Sequence, residues 1–220
     1  MSTDDLDALA LLNDPVRRSL YEAVVAGGGD VGRGQAAEAA GVSRTLAGHH
    51  LDKLVEAGLL ESGFRAPEKK GPGSGRPAKV YRRARGERTV SLPPRDYVTL
   101  ASVLAGVVDL LGAEEQAEQV AREAGVRAGG RHAGEPVERV LRERGYEPYE
   151  EGGLLRLRNC PFHVLAEEQP LLVCSMNLAL CQGLLRGLGD DPGRARLDPR
   201  PGECCVALSV PPGASKTNTD

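Results

Sequence analysis

The three residues Gly41-Val42-Ser43 constrain this chain more than any other feature. They form a tight turn between two short helical patterns, and so short a link fixes two helices as a corner. Before it, Arg33–Ala40 (Arg-Gly-Gln-Ala-Ala-Glu-Ala-Ala) predicts a short Ala-rich helix. After it, Ser43 is placed to cap a second helix that runs to about Ala57 and stops at Gly58. On that second helix Ala47, Leu51, Leu54 and Val55 share one face, while Arg44, Thr45, Gly48, His49 and Asp52 project elsewhere.

The flanking segments complete the pattern. Leu6, Leu9, Leu12, Val16, Leu20, Val24 and Val25 recur near helical spacing over residues 6–26. Asn13-Asp14-Pro15 interrupts that run, with Asp14 as N-cap and Pro15 as first helical residue of the main helix, and Gly27-Gly28-Gly29 ends it. Beyond Gly58, Leu59–Phe64 reads as a strand, residues 66–78 as a Gly/Pro/Lys-rich loop and Ala78–Arg82 as the return strand. Helix–turn–helix followed by a basic hairpin is the layout of a winged helix.

Charge supports a role for this hairpin. Net charge is −3, yet residues 62–88 carry Arg65, Lys69, Lys70, Arg76, Lys79, Arg82, Arg83, Arg85 and Arg88 against only Glu68 and Glu87. A basic segment in an otherwise acidic chain is a local electrostatic footprint, and phosphate contacts depend on local charge. A helix of this kind enters the major groove and presents its first turns to base edges. Arg44 suits bidentate pairing with guanine, Thr45 a phosphate or thymine methyl, Gly48 close backbone approach, His49 a base or phosphate, and Lys53 a phosphate. Lys69, Lys70, Arg76 and Lys79 of the wing suit backbone phosphates or the minor groove. His50, beside Leu51, reads as a packing residue.

Ser91-Leu92-Pro93-Pro94 marks a boundary. From Arg95 to about Ala128 a long helical segment is predicted, with apolar Tyr97, Leu100, Leu104, Val107, Val108 and Leu111, widened by Val103 and Leu110. A broad apolar face between two domains suggests a dimer interface, and helix–turn–helix proteins commonly pair to read two half-sites. The last third reads as mixed α/β: a helix over Pro136–Arg144, a hairpin around Gly152-Gly153, an apolar helix over Leu171–Leu188, and a second hairpin formed by Arg194–Asp198 and Cys204–Val210. The expected organisation is α+β: residues 1–90 a winged helix-turn-helix, 91–132 a linking and dimerisation helix, 133–212 a small Cys-rich α/β domain, and 213–220 a disordered tail. No apolar run is read as a membrane span and the N-terminus lacks a signal-peptide pattern, so a cytoplasmic protein is expected.

All five cysteines, Cys160, Cys174, Cys181, Cys204 and Cys205, lie in that last third. An odd number in a reducing compartment favours metal or redox chemistry over disulfides. No C-x-x-C occurs, which argues against a zinc ribbon or thioredoxin-like motif. Cys160, Cys174 and one of Cys204/Cys205 bring together a loop, a helix and a strand, with His163 as an optional fourth ligand. Neighbours on a strand point to opposite faces, so only one of Cys204/Cys205 is expected to face the site. Cys181, inside Leu178-Ala179-Leu180-Cys181, reads as a small buried hydrophobe.

Two resemblances cover nearly the whole chain. Gly34-Gln35-Ala36-Ala37-Glu38-Ala39-Ala40-Gly41-Val42-Ser43 with His50-Leu51-Asp52-Lys53-Leu54-Val55-Glu56-Ala57-Gly58-Leu59-Leu60 resembles the ArsR-type winged-helix bacterial repressors, and Gly75–Tyr81 is similar to a wing found in one branch of them. Asn159-Cys160-Pro161-Phe162-His163-Val164-Leu165-Ala166, Leu172–Asn177, Gly183–Leu188 and Leu197–Val206 resemble the C-terminal domain of the SufR family of iron–sulfur repressors of the suf cluster-assembly operon. That resemblance implies a homodimer with one [4Fe–4S] cluster per subunit that binds operator DNA when loaded. The ligands it implies are Cys160, Cys174 and Cys204 or Cys205, with His163 a positional candidate for the fourth. The residues also allow a winged-helix regulator with a zinc or thiol-redox site, or one whose cysteines are incidental to a small-molecule ligand. An enzyme with a Cys160–His163 nucleophile–base pair has no oriented third group or phosphate-binding loop behind it, so a non-enzymatic role is expected.

Overall fold

The computed structural model describes residues 3–66, 77–86, 88, 90, 91, 93 and 95–211. The chain forms two compact units, Met1–Arg95 and Asp96–Asp220.

In the first unit α1 (Thr3–Ala10) runs through a 3-10 turn (Leu11–Asn13) into α2 (Pro15–Ala26). Asp14 caps α2, its Oδ1 accepting from the Arg17 amide at 3.0 Å, and Pro15 opens the helix without wasting a donor. A two-residue strand β1 (Val31–Gly32), which the sequence pattern did not reveal, precedes α3 (Arg33–Ala39). Gly41 then adopts φ +66°, a left-handed backbone open to glycine, and the chain turns into α4 (Arg44–Glu56). Ser43 Oγ accepts from the Leu46 amide at 3.3 Å. Strands β2 (Leu60–Arg65) and β3 (Ala78–Arg83) pair antiparallel from Leu60↔Arg83 to Arg65↔Ala78, and β1 joins the other edge of β3, giving the order β1-β3-β2. Leu20, Val24, Ala36, Ala37, Ala47, Leu51, Leu54, Leu60 and Tyr81 fill the core beneath. Helices α2, α3 and α4 with a small antiparallel sheet make this unit a winged helix.

The second unit contains α5 (Tyr97–Leu111), α6 (Glu114–Gly130), α7 (Val137–Glu143), β4 (Pro148–Glu151), β5 (Leu154–Leu157), α8 (His163–Glu168), α9 (Pro170–Leu188), β6 (Ala195–Leu197) and β7 (Val206–Ser209). The single helix expected from Arg95 to Ala128 is thus two. Gly112 at φ +60° caps α5, and Ala113 starts the next turn. The strands form an antiparallel sheet in the order β4-β5-β7-β6.

Helix α9 has 19 residues and a mean hydropathy of 1.5, enough by length and composition to cross a membrane, contrary to the sequence reading. Its apolar character has another use, because α9 packs along α6 in the core of this unit. Gly125 and Gly129 of α6 face Gly183 and Gly187 of α9. A Cβ at Gly183 would overlap the Arg122 carbonyl oxygen, and one at Gly129 the Leu184 carbonyl oxygen. Glycine at both steps lets the two backbones touch.

Candidate nucleic-acid interface and thiol centre

Helix α4 buries Ala47, Leu51 and Leu54 and leaves Arg44, Thr45, His49 and Lys53 exposed. Thr45, His49 and Lys53 share one solvent face, and Arg44 projects from the first turn beside Gly34 of α3. His50 turns inward, accepting from Arg17 Nε at 3.3 Å, and burial lowers its pKa so that it stays a neutral packing group.

Two expected DNA contacts have other work. Gly48 is buried, and a Cβ there would meet the Arg33 side chain of α3 at 3.0 Å. The glycine therefore admits Arg33 rather than bringing the backbone to DNA. Lys79 donates to Asp52 Oδ1 at 2.7 Å, and Tyr81 OH donates to the same oxygen at 2.9 Å. Burial opposes ionisation of Asp52, but these two bonds outweigh it and hold the carboxyl below its ordinary value. The pair ties strand β3 to the recognition helix. Other basic residues of the hairpin are also engaged: Arg65 donates to the Asp30 carbonyl, Arg82 to Glu61 at 2.9 Å and Arg88 to Asp5 at 2.7 Å. Lys69, Lys70 and Arg76 lie outside the described residues. Arg33, exposed beside Gly48, is a cation on this surface that the sequence reading missed, and the glycine inside a helical pattern was its signal.

The thiols come from three segments. Cys160 follows β5, Cys174 sits in the second turn of α9, and Cys204 and Cys205 directly precede β7. Because this vicinal pair lies in irregular backbone before the strand, strand alternation does not separate it. The thiols of Cys160 and Cys205 neighbour that of Cys204, and the thiol of Cys174 neighbours that of Cys205, closely enough to shift one another's ionisation. Both members of the pair therefore join the group. Backbone bonds fix the approach, with the Cys204 amide donating to the Leu157 carbonyl at 2.9 Å and the Asp198 amide to the Cys205 carbonyl at 2.8 Å.

The chain of thiols polarises itself. Hydrogen bonds from Cys204 and Cys174, working against burial, push Cys205 down to about 6. Burial and the neighbouring Cys205 push Cys174 up to about 12, and the flanking Cys160 and Cys205 thiols together with burial push Cys204 far up. Cys181 is buried in the core, and burial raises it to about 12. His163 opens α8 with Nε2 3.2 Å from Glu167 Oε1, so its ring is turned to that carboxylate. Among the described residues no three His, Cys, Asp or Glu side chains are set around a single ion. Four sulfurs from three separate segments neighbour one another in the order Cys160, Cys204, Cys205 and Cys174, a donor set of soft character.

Behind the thiols lies a buried polar residue that the sequence reading passed over. Asn177, 2% exposed on α9, donates from Nδ2 to Cys204 Sγ at 3.2 Å and accepts from Tyr146 OH at 2.5 Å. An asparagine within an otherwise apolar helical run was the available signal, because a buried amide must find partners.

Helix α5 presents a third surface. Tyr97, Leu100, Leu104, Val107 and Leu111 alternate at three- and four-residue spacing and all are exposed, with Val103 and Leu110 beside them. Ala105 is its one buried residue. Regular 3–4 spacing of apolar residues is the seam of a helix that pairs with another helix.

Residues 11–63 match a protein family described as a helix-turn-helix domain. That stretch spans α2, α3 and α4, and the match supports a winged-helix, DNA-binding transcription regulator. No curated protein and no solved structure matches the chain.

Proposed function

We propose that this protein is a cytoplasmic transcriptional repressor, active as a homodimer, whose grip on operator DNA is set by a [4Fe–4S] cluster in the second unit. The observation that carries the reading is the linked group of four thiols in a chain that also carries an exposed recognition helix. Cys160, Cys174, Cys204 and Cys205 would hold the cluster. Zinc asks for about four ligands at roughly 2.3 Å from one point, and the row of thiols suits a broader group better. When bound, the cluster supplies a redox-sensitive cross-link among the three segments. The resemblance to the SufR family makes iron–sulfur assembly genes the expected targets.

The chain's own residues do the rest. Arg44, Thr45 and His49 meet base edges, and Lys53 meets phosphate. The apolar seam of α5 pairs two copies, so that two recognition helices address two half-sites. Coupling requires that the arrangements with high and low DNA affinity differ in their affinity for the cluster, and the effect is then reciprocal.

Anaerobic purification followed by absorption spectroscopy, iron, sulfide and zinc analysis, and operator binding before and after chelation tests this reading. The expected protein is brown, contains iron and sulfide, and loses operator affinity on stripping. A protein that stays colourless and iron-free after anaerobic reconstitution overturns the cluster. Arg44→Ala should cost about 1–3 kcal/mol in specific binding and much less in non-specific binding; equal losses remove Arg44 from base readout.

A second reading is favoured by the same contacts. The thiols of Cys160 and Cys204 neighbour one another, as do those of Cys174 and Cys205. A peroxide would convert either pair to a disulfide, two thiols and one peroxide giving one disulfide and two waters. Peroxide-dependent loss of DNA binding in an iron-free wild-type protein, absent when Cys160→Ser and Cys174→Ser are combined so that neither pair can form, supports this alternative.

A further inference from the structure

We infer that Asn177 is a positioning residue for the thiol centre: its side-chain amide holds the Cys204 sulfur and stabilises negative charge on it. The inference rests on the reading of Cys204 as a cluster ligand.

The geometry commits the Asn177 amide to this contact. It is buried on α9 between Met176 and Leu178, where an unpaired amide would cost about 1–3 kcal/mol. All of its hydrogen bonds go inward. Tyr146 OH donates to Oδ1 at 2.5 Å, and the Cys181 thiol lies 3.8 Å from the same oxygen. With two donors on the oxygen, the NH₂ group must face the other way, and there it meets Cys204 Sγ at 3.2 Å. A cysteine sulfur acting as ligand is an acceptor, so this orientation survives loading. Asn177 also stands three residues after Cys174 on the same helix. One turn of α9 thus delivers a thiol of its own and a donor to a thiol from another segment.

Hydrogen bonds to ligand sulfurs tune iron–sulfur centres, and partners behind the ligands govern retention. Donation to Cys204 disperses charge on the sulfur. It favours the more negative oxidation state of the centre and slows loss of the ligand.

The test uses the anaerobically loaded full chain and the variants Asn177→Leu, which keeps side-chain size but removes the donor, and Tyr146→Phe, which keeps Asn177 but removes the donor that fixes its amide. Two quantities are read: the midpoint potential in a dithionite titration, in which each centre takes up one electron, and the rate at which iron passes to a chelator. Both variants should titrate at a more negative potential than wild type. Iron release should rise by about 10–100-fold in Asn177→Leu and by less in Tyr146→Phe. If Asn177→Leu fails to fold, Tyr146→Phe decides. A wild-type protein that binds no iron or sulfide overturns the cluster reading and this inference with it. A loaded wild type whose folded variants keep its potential and iron-release rate overturns the role of Asn177 alone.

Discussion

Helices α5 and α9 are both strongly apolar and meet opposite fates. In α9 the apolar side chains Leu172, Val173, Ala179, Cys181, Leu184 and Leu185 are buried within the second unit. In α5 only Ala105 is buried, and Leu100, Leu104 and Leu110 face outward. The difference lies in the partner. Helix α9 meets α6 through Gly125, Gly129, Gly183 and Gly187, which let the axes close until backbones touch. Helix α5 touches its own unit lightly, with Ser102 donating to Glu168 at 3.0 Å, and keeps its seam outside. Hydrophobicity therefore states only that a helix needs cover. Small residues at the right spacing decide whether that cover comes from inside the chain.

The largest effect should come from filling the α6–α9 contact. Gly183→Leu places a side chain against the Arg122 backbone, where neither helix can yield locally. A loss of about 4 kcal/mol is expected, read as a collapse of the second unit's cooperative transition in urea. A variant that melts like wild type would break the contrast between the two helices.

Charging the α5 seam should act on association instead. Each Leu buried in a dimer is worth about 1.5–3 kcal/mol, so Leu100→Glu with Leu104→Glu should raise the dimer dissociation constant at least about 100-fold by sedimentation. Far-UV circular dichroism of the monomer should be unchanged. A wild-type protein that sediments as a monomer at high concentration removes α5 as a self-association surface.

Alkaline pH should weaken α9 in particular. The folded Cys181 thiol sits at about 12, above its ordinary 9.0. The unfolded chain therefore loses that proton first. The stability it contributes is complete below pH 9 and is lost as pH rises from 9 to about 12, by about 1.4 kcal/mol per pH unit. Wild type minus Cys181→Ala in urea melts at pH 8 and 10 isolates the slope. Equal slopes in both proteins would mean that Cys181 is not held neutral.

The smallest effect should be at Leu171, which is 88% exposed although it belongs to α9. Leu171→Ser should change stability by less than about 0.5 kcal/mol in a thermal melt. A larger change would show that α9 too needs cover from outside its unit.

Local signals made the first unit readable. Asp14-Pro15, Gly41 and Ser43 fix helix ends by backbone conformation and capping, which act within a few residues. The same locality explains the misreading of 95–128: one glycine where the apolar pattern of α5 gives way to the polar start of α6 carries a break that helical periodicity does not register. At the thiol centre the sequence singled out Cys160, Cys174, Cys204 and Cys205 for attention but separated Cys204 from Cys205 by a strand rule. That rule fails because regular strand begins only at Val206. The charge run 62–88 was visible, but the pairing of Lys79 with Asp52 was not, since it joins residues far apart in sequence.

By itself, the sequence determined the helix–turn–helix, its caps, the exposed Arg44, Thr45, His49 and Lys53, and the gathering of thiols into one region. These follow from short-range geometry and composition. Only the tertiary structure decided which apolar helix is core and which is surface, that Gly48 serves Arg33, that four thiols form one row, and that Asn177 stands behind Cys204. Each of those depends on which segments meet, and burial and hydrogen bonding between distant segments are properties of the packed chain rather than of any stretch of it.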